Sequence, residues 1–132
     1  MTTQTPENTT ATPKIDWVGV SFDCDDPAAL ARFWSEALGL PVLMSSDEMI
    51  MIGREGSPGI AFCRIENYRR PTWPDPECEK QSHLEFGVAD LDAAQARMLS
   101  LGATEPSSQP DAERWRVLLD PAGHPFCLFV SA

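Results

Sequence analysis

The sequence predicts an α+β fold built from two tandem βαβββ modules, and three observations carry that expectation. Hydrophobic residues make up 42% of 132 residues, enough for one buried core in a chain too short for two average domains. A strand–helix–strand–strand–strand order reads twice along the chain. A shift of 64 residues places Phe22 on Phe86, Asp26 on Asp90, Phe62 on Phe126 and Cys63 on Cys127, each at an equivalent point of that order.

Residues 1–14 are almost wholly polar and predict a disordered tail, leaving 15–132 for the domain. The modules span about 15–66 and 81–132, with a linker loop over 67–80. In the first, Val18, Val20, Phe22 and Cys24 alternate with polar residues, which marks a half-buried strand. Asp26 and Pro27 then read as a helix start. Leu30, Phe33, Trp34, Ala37 and Leu38 follow at helical spacing, and Gly39 ends the helix. Short strands are expected over 42–45, 48–52 and 60–65, separated by turn-forming runs. The second module repeats the plan. Residues 83–88 alternate, Asp90 caps a helix carrying Leu91, Ala94, Met98 and Leu101, and Gly102 ends it. Strands are expected over 103–105, 115–119 and 126–130.

Ten Lys and Arg against twenty Asp and Glu leave a net charge of −10. Such a surface repels phosphate backbones and anionic lipid, so no nucleic-acid or membrane partner is expected. No apolar stretch is long enough to span a bilayer, and the N-terminus lacks the basic-then-apolar pattern of a secretory signal. A cytoplasmic location follows as the expectation. Cys24, Cys63, Cys78 and Cys127 show no Cys-x-x-Cys pairing, so reduced thiols are expected rather than disulfides.

Four strings, DCDDPAALARFW, RPTWPDPE, SHLEFGVADLDAA and LLDPAGHPFCL, occur in this order. Together with the tandem modules they resemble the vicinal oxygen chelate superfamily of glyoxalase, bleomycin-resistance and extradiol dioxygenase proteins, in its glyoxalase-like bacterial branch. The resemblance covers residues from about 15 to the end. It implies a curled mixed sheet around one cleft, function on the cleft-facing side chains, and a homodimer. It also implies a metal held by one residue on the first and last strand of each module, which places Gly19, Cys63, His83 and Cys127 at those positions. Only His83 is of the usual ligand type, so no bound metal or other cofactor is expected. The alternative is a softer zinc site of Cys63, His83 and Cys127, because thiolate and imidazole suit that ion.

His83 and Glu85 lie two apart on one strand and share a face. They form a polar pair facing a ligand, with Glu85 orienting His83 for acid–base work, or else an ordinary solvated face. Ser21 and Asp23 sit on the matching face of the first module. Trp73, in a proline-stiffened loop, either caps the core or covers the cleft. Met49 and Met51 suit a flexible apolar wall, and Cys127 completes the ligand-facing set. His124 follows a turn signal and reads as a solvated turn residue. The expected function is binding of a small, largely apolar or aromatic molecule without the usual metal. The alternative is a lyase- or dioxygenase-like enzyme using a remodelled metal site or His83 and Glu85 as an acid–base pair.

Overall fold

A computed structural model describes residues 13–14, 16–74 and 83–130. Most of the expected tail, Cys78 and the linker from residue 75 lie outside the described residues. The observed order is β1 (Gly19–Cys24), α1 (Pro27–Leu38), β2 (Val42–Ser45), β3 (Met49–Ile52), β4 (Gly59–Arg64), β5 (Leu84–Val88), α2 (Leu91–Leu101), β6 (Trp115–Leu119) and β7 (Pro125–Val130). Local chemistry accounts for the helix limits. The Asp26 carboxylate accepts from Ala29 N at 3.2 Å, and Asp90 accepts from Ala93 N at 3.1 Å, each satisfying a first-turn N–H. Gly39 ends α1 with φ 68, a left-handed conformation that a side chain would oppose.

The strands form two separate sheets: β1-β4-β3-β2 and β5-β7-β6. In each, the first strand of the module runs parallel to the last, and the remaining pairs are antiparallel. This corrects the expected single curled sheet. The two tandem modules are present, but no strand pairing joins the sheets among the described residues, and neither sheet closes on itself.

The second module also lacks a full counterpart of β2. Residues 103–105 contribute one bridge, Thr104 to Leu119, closed by two backbone bonds of 2.9 and 2.8 Å. Pro106 and Pro110 then remove donors that a longer strand would need. The Gln109 side-chain amide takes the strand's place instead. It accepts from Val117 N at 3.0 Å and donates to Val117 O at 2.7 Å, covering the edge of β6.

The core lies where the modules meet. Trp34 of α1 packs edge-on against Phe33 and Phe126, both with ring centroids 4.9 Å away, and tilts over Phe86 at 5.5 Å. Phe22, Phe62, Leu118 and Leu128 are buried around them. The paired positions Phe62 and Phe126, found by the 64-residue shift, are both core residues. Among the described residues no helix is long and apolar enough to cross a membrane.

Candidate metal centre on the second sheet

Alternation divides β5 between two faces. Leu84, Phe86 and Val88 turn toward the core, which leaves His83, just before the strand, and Glu85 on the other side. Cys127 of β7 is the direct cross-strand partner of Glu85. The candidate ligand atoms of His83, Glu85 and Cys127 all lie within 4.8 Å of one another. His83 and Glu85 are exposed, and Cys127 is buried beneath them.

The placement of Cys127 depends on the turn that starts β7. Burial pushes the Asp120 carboxyl above the ordinary aspartate range, and the bond from Trp34 and its other hydrogen bonds oppose that shift. The carboxylate accepts from Trp34 Nε1 at 3.0 Å and from Ala122 N and His124 N at 2.9 Å each. Gly123 supplies the left-handed residue in this turn, with φ 88.

His124 is not a solvated turn residue. It is half-buried, with its ring 5.3 Å from that of Phe22, and its Nε2 lies 2.7 Å from the carbonyl of Asp23. A carbonyl only accepts, so that nitrogen carries a proton. Tyr68 donates its own hydroxyl proton to Ala122 O at 2.8 Å and lies 3.1 Å from His124 Nε2, as an acceptor. Burial holds the Tyr68 phenol well above its usual range. His124 therefore latches the end of β1 to the start of β7. No local signal marks it, because its partners are 56 and 101 residues away.

The other expected site residues fall elsewhere. The pairings Ser21–Ala61–Met51 and Asp23–Cys63–Met49 place Ser21, Asp23, Met49, Met51 and Cys63 on one face of the first sheet. Cys63 thus stands on a different sheet from His83 and Cys127, and Glu85 occupies the third position of the cluster. Trp73 is half-buried in the linker. Cys24 is buried in the core, which pushes its thiol up to about 11, so it takes no part as a thiolate near neutral pH.

Gly19 also has a structural reason to lack a side chain. A Cβ there would sit 2.5 Å from the carbonyl oxygen of Gly59, its partner across β1 and β4. The obstacle is backbone, so the first module offers no ligand at this position without moving a strand.

The donor set fits a metal. Zinc accepts imidazole nitrogen, carboxylate oxygen and thiolate sulfur at about 2.0–2.3 Å, and three such donors leave a position for a ligand oxygen. The thiolate disfavours magnesium and calcium, which prefer oxygen alone.

Comparison with known proteins agrees with this architecture. The family model described as a glyoxalase-like domain matches residues 19–129. No curated protein matches the chain. Among solved structures, a glyoxalase/bleomycin resistance protein/dioxygenase family enzyme from Burkholderia phytofirmans PsJN superposes with TM-score 0.66 at 18% identity, covering 86% of this chain and 97% of that one. A glyoxalase-related enzyme from Fulvimarina pelagi gives 0.63 at 20% identity, covering 89% of each. A fosfomycin resistance protein variant from Listeria monocytogenes, complexed with manganese(II) and a dihydroxypropylphosphonic acid, gives 0.64 at 14% identity, covering 86% and 88%. At these identities the structures testify to the fold, and the family model covers most of the sequence. The chain belongs to the glyoxalase-like branch of the vicinal oxygen chelate superfamily.

Proposed function

We propose that the outer face of the second sheet is the working site, and that His83, Glu85 and Cys127 hold a divalent metal there, zinc above all. On this reading the protein is a lyase- or dioxygenase-like enzyme acting on a small, largely apolar or aromatic molecule. The observation that carries the proposal is the convergence of nitrogen, oxygen and sulfur donors within 4.8 Å. When bound, the ion supplies Lewis-acid polarisation of a ligand oxygen.

The chain's own residues do the rest. Cys127 is fixed by the β7 ladder and the Asp120 turn, while the exposed His83 and Glu85 side chains are able to close on an ion. We also propose that Glu85 orients His83 and takes or returns a proton at a ligand atom. Ser21, Asp23, Met49, Met51 and Trp73, which lie off the second sheet, are proposed as contacts for parts of the ligand remote from the ion.

Zinc titration of the purified, metal-stripped protein by calorimetry tests the site. One equivalent is expected to bind. Cys127→Ser and His83→Ala are each expected to weaken affinity by about 100-fold, equivalent to ~2.7 kcal/mol. Absence of stoichiometric zinc, or unchanged affinity in both variants, overturns the reading.

We propose further that the protein acts as a homodimer. Supporting this, all four residues of the edge strand β2 are exposed, and three of them, Val42, Leu43 and Met44, are apolar and 53, 45 and 46% exposed. Light scattering at micromolar concentration is expected to give twice the 14.5 kDa chain mass, and a 14.5 kDa species contradicts it.

A further inference from the structure

We propose that the groove between α1 and the edge strand β2 is a second small-molecule site, which takes an aliphatic α-amino acid across Arg32 and Glu36. It lies on the helix-facing side of the first sheet and does not depend on the metal reading above.

The groove follows from how α1 sits. The helix packs mainly over β3 and β4, so the edge strand β2 projects beyond it. Toward β2 the helix presents Ala28 and Ala31, whose short side chains leave a cavity of about 300 Å³. That volume stands at the small end of ligand pockets, which run to about 1,000 Å³. Val42 and Ile50 form the facing wall. Register puts both on the helix side of the sheet: Val42 pairs with the buried Ile52, and Ile50 packs against the core. Val42 is nevertheless 53% exposed, so apolar surface is left uncovered along this wall.

The rim carries the charge. Arg32 and Glu36 line the same groove one helical turn apart. Both are exposed, and neither makes an ion pair or hydrogen bond with another described residue. The neighbouring Ser35 hydroxyl is already engaged, donating to Leu40 O at 2.6 Å. A guanidinium and a carboxylate on Cβ atoms about 5–6 Å apart suit a ligand that carries both opposite charges on one carbon. The ligand carboxylate takes paired N–H bonds from Arg32 and its ammonium meets Glu36. An aliphatic side chain then covers Ala28, Ala31, Val42 and Ile50. Charge decides between ligand classes. A plain carboxylate is repelled by Glu36 and by a protein of net charge −10, and a plain amine leaves Arg32 unmatched. A zwitterion meets both groups.

The test is calorimetry on the full chain with leucine as the probe, with and without zinc. Glycine lacks the aliphatic group, 4-methylpentanoate the ammonium and 3-methylbutylamine the carboxylate. Leucine is expected to bind at least about tenfold tighter than each of them, with the same affinity whether or not zinc is present. Arg32→Gln and Glu36→Gln should each weaken leucine about tenfold, and Glu36→Gln should at the same time tighten 4-methylpentanoate. Ala28→Phe fills the groove and should abolish binding. Ala29→Phe, on the flank of α1 that faces Leu101, should leave it unchanged. Both alanines are exposed, so both variants should keep the wild-type urea midpoint. Leucine binding no tighter than the three comparisons, or unchanged by Arg32→Gln and Glu36→Gln, overturns the site. Binding that appears only with zinc places leucine on the metal cluster and also overturns it, while leaving the metal reading standing. If Ala28→Phe converts a dimer to a monomer without changing leucine affinity, the groove is a subunit interface and the proposal is wrong.

Discussion

Trp34→Ala is expected to remove about 5 kcal/mol of folding stability. Truncating a buried aromatic costs about 3–5 kcal/mol through lost burial and the cavity it leaves. Trp34 is 1% exposed and fills the junction of the modules, touching Phe86 of β5 and Phe126 of β7 from a helix of the first module. Its indole N–H also serves the buried Asp120 carboxylate at 3.0 Å, and losing that donor adds a penalty of about 1–3 kcal/mol. Domains of this kind are stable by only about 5–15 kcal/mol, so much of the variant should unfold at mild denaturant. Urea unfolding measures the effect. Trp34→Phe, which keeps a ring and deletes the N–H, is expected to lose roughly 2 kcal/mol. A Trp34→Ala protein within 1 kcal/mol of the wild type would mean that the modules do not depend on this contact.

Asp120→Ala is expected to cost about 3 kcal/mol. The replacement leaves three N–H groups, from Trp34, Ala122 and His124, without their acceptor in a buried turn. It should also loosen β7, and with it Cys127. The pH dependence has a definite sign. The folded-state carboxyl is shifted upward by burial, so its contribution to stability is fully present below the unfolded aspartate value of 3.8 and declines as pH rises through the folded value. The stability gap between wild type and Asp120→Ala should therefore narrow from pH 3.5 toward neutrality. Denaturant midpoints at several pH values read this directly, and a gap that widens with rising pH contradicts the upward shift.

The elements themselves were legible because their signals are local. Asp26 and Asp90 each accept from an N–H three residues on, and alternation along β5 decides which side chains leave the core. The shared face of His83 and Glu85 follows from that alternation alone. The tandem order and the resemblance likewise follow from strings read along the chain.

Local pattern was enough for the helices with their caps, the observed strands, the shared face of His83 and Glu85, the repeated order and the family, while the strand expected over 103–105 shrinks to a single bridge. The three-dimensional fold decided the division of the strands into two sheets, because hydrogen bonding between edges depends on how distant segments dock. It decided too that Glu85 rather than Cys63 joins His83 and Cys127: Glu85 faces Cys127 through a parallel register across β5 and β7, and periodicity within a strand carries no information about the register of its neighbour. The same holds for His124, whose partners Asp23 and Tyr68 belong to other segments. Local pattern specifies which way a side chain points, and long-range packing specifies what it meets there.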